Sequence, residues 1–187
     1  MKNLLFAMFV CGLSLGSYAQ SSSVERSIFN VQTNLLGLYI NNESRLTNSI
    51  ALRSEIGLDA VIWGNDYYGT GYLMTPVITL EPKWYYNLSK RLEKNKRIDQ
   101  NSGNFITLKT SYHPDWFLIS NRENVSIINF LTVIPSWGIR RNLGTHFNYE
   151  VGAGVGIAHY FIKAEDYYSG DETVAAIDFH VRIGYTF

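Results

Sequence analysis

The chain has 187 residues, a formal charge of zero and a single cysteine, Cys11. Balanced charge removes the global field that would point to nucleic acid, and one cysteine excludes a disulfide framework. Tyrosine, phenylalanine and glycine are plentiful, as they also are in soluble secreted proteins, so the pattern of alternation along the chain has to decide the class.

Met1-Lys2-Asn3 is a short positive start, followed by an apolar run from Leu4 to Leu15 and by Gly16-Ser17-Tyr18-Ala19. This is the layout of a secretory signal peptide over residues 1–19, with cleavage expected before Gln20. Its apolar run of about a dozen residues is too short to cross a bilayer as a helix. Cys11 falls inside that run as one more apolar residue. Residues 20–187 then suit one domain.

Past the leader, apolar and polar residues alternate, the signature of strands with two unlike faces. Phe29, Val31, Thr33 and Leu35 alternate with Asn30, Gln32 and Asn34; Leu38, Ile40 and Leu46 alternate with Asn41, Glu43 and Arg45. This stretch reads as one long strand or as two short ones joined near Leu36-Gly37. From Ile50 to Ile62, one face carries Ile56, Leu58 and Ala60, and the other Arg53, Glu55 and Asp59. From Leu73 to Tyr86, Met74, Ile78, Leu80 and Trp84 oppose Thr79, Glu81, Lys83 and Tyr85. Asn104–Tyr112 sets Ile106 and Leu108 against Thr107, Lys109 and Ser111, and Leu131–Ile139 sets Val133 and Trp137 against Ser136, Gly138 and Arg140. From Phe147 to Ile157, Tyr149, Val151 and Val155 oppose Glu150, Gly152, Gly154 and Gly156. The final run sets Ile177, Phe179, Val181 and Ile183 against Asp178, His180 and Arg182. Pro76, Pro82 and Pro135 fall on apolar faces, where bulges or strand ends are expected.

Single-chain bacterial barrels have an even number of strands, which selects two strands in the N-terminal stretch. The expectation is therefore an all-β, eight-stranded antiparallel transmembrane β-barrel. Trp63–Gly71, His113–Asn124 and Lys163–Thr173 are its expected outer loops, and Arg141–Thr145 a tight turn at the other end. Ser89–Gly103, with Lys90, Arg91, Lys94, Lys96 and Arg97, is a basic connector, helical or mobile, that could meet an anionic glycan or a partner.

The polar faces decide the orientation. Glu43, Arg45, Arg53, Glu55, Asp59, Glu81, Lys83, Lys109, Arg140, Glu150, Asp178, His180 and Arg182 can pair across a small lumen. Turned into lipid, each midplane Arg or Lys would cost about 2–4 kcal/mol. Gly152, Gly154 and Gly156 leave room on the inner face for bulky neighbours such as arginine and Tyr85. Aromatics gather at segment ends as interfacial girdles: Trp63, Tyr67, Tyr68, Tyr72, Trp116, Phe117, Tyr160 and Phe161 at one rim, and Trp84, Tyr86, Trp137, Phe147, Tyr149, Tyr185 and Phe187 at the other.

The last segment, Val181-Arg182-Ile183-Gly184-Tyr185-Thr186-Phe187, alternates and ends on phenylalanine. It resembles the closing strand of bacterial outer-membrane proteins. With the leader and the strand pattern, the chain is similar to small outer-membrane barrels of the OmpA-like superfamily, in the style of Bacteroidota. That resemblance implies an outer-membrane location among lipid and lipopolysaccharide, and an assembly signal at Tyr185 and Phe187 read by the barrel-assembly machinery. It implies a fold far more than a function.

The candidate chemistry is sparse, and no cofactor or metal is expected. His159 is placed to face lipid near the outer end, the position for a lipid A-modifying enzyme, yet no serine motif accompanies it among Ser120, Ser126 and Ser169. His113, Asp115, Glu165, Asp166, Asp171 and Glu172 match no metal-binding spacing. The leading expectation is a structural or interaction protein with a lumen closed by ion pairs. A narrow channel and the lipid-modifying enzyme are the alternatives. A soluble barrel with Ile56, Leu58, Val155 and Phe179 lining an inner cavity is the inverted reading.

Overall fold

A computed structural model describes residues 22–34, 36–65, 69–123, 125–162 and 172–187; the leader, Leu35, Tyr67, Tyr68, Asn124 and most of the Lys163–Thr173 loop lie outside the described residues. The strands are β1 (Ser27–Asn34), β2 (Gly37–Arg45), β3 (Ile50–Asn65), β4 (Gly69–Tyr85), β5 (Asn104–His113), β6 (Ile119–Ser120), β7 (Phe130–Leu143), β8 (Phe147–Tyr160) and β9 (Glu172–Thr186). All but β6 close into a ring of eight antiparallel strands, and β9 returns to β1 through Asn30↔Thr186 and Thr33↔Ile183. The N-terminal stretch thus forms two strands, joined at Leu36. The start of β1 and the end of β9 share one end of the ring, the terminal end, with the connector between β4 and β5; the connections from β5 to β7 and from β8 to β9 leave from the other, the loop end.

The ring is staggered. Stepping from pair to pair, Val31 leads through Ile40, Ile56, Ile78, Tyr112, Leu131 and His159 to Thr173. Val31 itself pairs with Tyr185, far down the same strand. Such an offset tilts the strands against the ring axis and sets its width.

Strands run further than the loop-like residues suggested. Trp63 pairs with Gly71 inside the β3–β4 hairpin, His113 ends β5 opposite Phe130, and Arg141–Leu143 belong to β7. Turn residues at hairpin tips are compatible with pairing once the partner strand is held below them. The prolines make no bulges: β3 pairs with β4 in unbroken register past both Pro76 and Pro82. Each proline lies instead where pairing lapses on one side. Pro82 falls in a gap between Leu80↔Thr110 and Lys83↔Thr107, Pro135 in a gap between Val133↔Ile157 and Ser136↔Gly154, and Pro76 between the stretches paired with β5 and β6. The missing N–H is directed at the lapse, so the register survives.

The basic connector folds as a helix, α1 (Leu88–Glu93), and a short 3₁₀ turn at Asp99–Asn101. Leu88 joins Val24, Ala51, Tyr85 and Phe105 in an apolar cluster that closes the terminal end of the ring, with Ile98 packed against it. Asn142 Nδ2 donates to the Asp99 carboxylate at 3.0 Å, and the hydrogen-bonded Arg97 guanidinium holds that carboxyl below its usual range.

Inward Tyr39 lies flat over Gly57, where a Cβ would meet its ring at 2.5 Å and the Leu38 carbonyl at 2.7 Å. Gly57→Val is expected to lower the urea midpoint of unfolding, read by tryptophan fluorescence, by an equivalent of about 1–3 kcal/mol. An unchanged midpoint would show that Tyr39 is free to swing away.

Candidate functional site: a charged interior

The ring is polar inside and apolar outside. Asn30, Gln32, Asn41, Thr79, Thr107, Ser111 and Asn148 are buried beside the charged residues, while Ile56, Leu80, Val155, Ile177, Phe179 and Val181 face outward and are exposed. The inverted reading is thereby overturned: Ile56, Val155 and Phe179 point away from the interior of the ring, because the even pleat of each strand commits one whole set to each side.

At the terminal half, acids and bases interlock. The register sets Glu43 beside Arg53, Arg53 beside Glu81, and Glu150 beside both Arg140 and Arg182. Contacts across the interior then join opposite walls. Arg53 grips Glu150 with two guanidinium nitrogens, at 2.9 and 2.6 Å, and donates to Glu43 Oε1 at 2.7 Å from Nη2. Lys83 Nζ donates to Glu150 at 2.8 Å and lies 3.9 Å from the Phe105 ring centre. Arg140 reaches Glu43 at 3.0 Å and Asn30 at 2.8 Å. Glu43 also accepts from the Tyr85 hydroxyl at 3.0 Å and from Asn101 Nδ2 at 2.8 Å, which ties the connector to the network. Glu81 stands 3.4 Å from Arg53. These charge-assisted bonds are short and multiply shared.

Above this layer the interior loosens. Arg182 donates to Glu55 at 2.7 Å and stacks on the Tyr39 ring. Lys109 and His180 both hold Asp178, at 2.8 and 2.7 Å, and His113 holds Asp59 at 2.8 Å. His180 Nε2 stands 3.6 Å from Glu150, linking the two layers. A cavity of about 400 Å³ begins here, with Ser111, Thr79 and Tyr39 in its wall.

Of the candidate residues, twelve of the thirteen gather inside. Arg45 does not: it shares the parity of Asn41 and Glu43 but is the last residue of β2, exposed at the rim, where the interior ends. The room left by Gly152 is used by His180 instead of arginine or Tyr85, since a Cβ there would meet the imidazole at 2.5 Å. Tyr160 leaves the outer girdle; its even position on β8 turns it inward against Phe130, 5.1 Å between ring centres. At the terminal end the aromatics gather at the rim: Trp84 lies edge-on to Tyr86, Trp137 Nε1 donates to the Tyr86 hydroxyl, and Tyr185 packs against Phe147 and Phe187. Tyr39, His113 and Asn101 were not singled out as interior partners. His113 and Tyr39 had the right parity, whereas Asn101 lies in a connector without any.

His159 faces outward and bonds Thr173 Oγ1 at 2.8 Å. Ser169 and the acids Glu165, Asp166 and Asp171 lie outside the described residues. Among the described residues, no group of three or more metal-ligating side chains converges. Comparison with known protein families, with curated proteins and with solved structures finds no match.

Arg53→Met takes from Glu43 and Glu150 the guanidinium that bridges them and leaves them Lys83 as a shared cation. Loss of one partner from a buried pair costs about 3–5 kcal/mol, so the variant is expected to unfold at a correspondingly lower urea concentration. Arg45→Met is expected to leave the midpoint where it is.

Proposed function

We propose that this chain is an integral β-barrel of a bacterial outer membrane, with an interior closed at the terminal half and a structural or interaction role. The observation that carries the reading is the inversion of the usual protein: a full shell of exposed Leu, Ile, Val and Phe around a core of buried ion pairs. In water such a surface would aggregate. In a bilayer the shell is solvated by acyl chains, and the closed ring leaves its backbone groups paired.

The rest of the reading follows from that placement. The aromatics at the terminal rim, Trp84, Tyr86, Trp137 and Tyr185, suit a membrane–water boundary. Both ends of the chain then sit on the periplasmic side, where Lys90, Lys94, Lys96 and Arg97 of the connector meet anionic partners. Tyr185 and Phe187 serve as the assembly signal, and the leader over residues 1–19 directs export. Arg53, Lys83 and Arg140 pair with carboxylates across the interior and crowd the terminal half, which disfavours a channel.

Two measurements test this. The unboiled protein, extracted from the outer-membrane fraction, is expected to migrate faster on an SDS gel than the boiled one; recovery in a soluble fraction without a shift would sink the proposal. Val155→Arg, on the outward face at mid-strand, is expected to lose about 2–4 kcal/mol of stability in lipid vesicles. A water-exposed surface would tolerate that arginine with almost no change.

A further inference from the structure

We propose that the polar cup at the loop end binds an amphiphile with a zwitterionic headgroup, which enters sideways through a notch in the wall. This rests on the membrane reading above. The notch comes from unequal strand lengths. β1 pairs with β9 only up to Thr33↔Ile183, and β2 pairs with β3 only up to Gly37↔Asp59. Beyond that hairpin, β9 continues to Glu172 and β3 to Asn65. Among the described residues, no strand covers the facing edges of these two extensions. Ile177 and Phe179 on β9 are accordingly 80% and 72% exposed, high for residues in a paired strand.

The cavity reaches that edge. Its lining includes the inward Asp178 and His180 and also the outward Ala175, Ile177 and Phe179. It therefore passes round β9 from the polar interior to the apolar outer face. Accessibility confirms which end is open: the side chain of Arg182 is 4% exposed, Asp178 12%, Lys109 15% and Asp59 35%. The floor is the sealed ion-pair layer.

Two features define the occupant. Among the described residues the edge of β9 beyond Ile183 has no strand partner, and backbone groups so placed in hydrocarbon need a polar partner, so an occupant of the notch must offer polar atoms beside an apolar body. The ionisable side chains of the cup all have partners, Lys109 and His180 on Asp178, Arg182 on Glu55 and His113 on Asp59, and those left most open to the cavity are an acid, Asp59, and a base, Lys109. A headgroup of one sign alone would answer only one of these two and face the other with like charge. A headgroup carrying both signs can lie between Lys109 and Asp59 with its charges shared. The volume of about 400 Å³ suits a headgroup and the first part of its tail. A membrane lipid of the phosphoethanolamine type has this chemistry.

The test uses the full mature chain in bilayer nanodiscs made of equal amounts of ethanolamine and glycerol phospholipids (the second anionic), followed by gentle extraction and native mass spectrometry. One retained lipid per chain is expected, with the ethanolamine lipid enriched about tenfold, the selectivity expected of one well-made charge-assisted contact. Ala176→Trp, which fills the inner side of the notch, is expected to abolish retention while the heat-dependent mobility shift persists. Ala176→Leu replaces it if the tryptophan variant loses the shift. Absence of bound lipid, equal retention of both lipids, retention undiminished in both Ala176 variants, or a dimer joined along β9 would each overturn the inference. Failure to enter the nanodisc at all would instead remove the membrane reading beneath it.

Discussion

Arg53 is held between Glu43, its neighbour on the adjoining strand, and Glu150, on the far wall. The rest of the interior is arranged around that contact. A guanidinium taken out of water needs carboxylate or carbonyl acceptors held in fixed positions. The two carboxylates in turn must be shared with Arg140, Lys83 and Tyr85 to be satisfied. One buried cation thus dictates the chemistry of five strands, and the small groups beside it follow. Glycine at 152 is the gap into which His180 fits to approach Glu150.

The same contact divides the interior into two unlike halves. Towards the termini, the charges are completely buried and backed by Val24, Leu88 and Phe105. Towards the loops, the pairs are more open and surround free volume. The division does not come from composition, since both halves hold acids beside bases. It comes from what lies behind each: the connector closes one mouth through Asn101, and the short β1–β2 hairpin lowers the wall at the other.

Most of the ring was legible because a period of two leaves little freedom. Once Ile56 is outside, Arg53 and Glu55 are inside, and the same parity fixes Glu150 and Arg182. Parity also holds where composition misled. Tyr160 reads as a boundary aromatic by type but sits at an inward position, and Trp63 reads as loop but pairs with Gly71. The prolines misled in the other direction, because a residue without an N–H disturbs only the side to which that group would have pointed. The connector was opaque for a different reason. Its two apolar anchors, Leu88 and Ile98, are ten positions apart among lysines and arginines, and no periodicity announces that they meet one cluster. The notch was equally hidden, since it depends on where strands stop, which alternation does not record.

The span of the central ion pair has a bearing on how the chain assembles. Arg53 and Glu150 are 97 residues apart in sequence, and four strand pairings separate β3 from β8 by either route, through β4, β5 and β7 or through β2, β1 and β9. A partly built sheet would present both charges unshielded to whatever surrounds it, and neither half could settle alone. Wall closure and charge burial are therefore a single cooperative event, so the chain is built to pass from open sheet to finished ring without a stable halfway state.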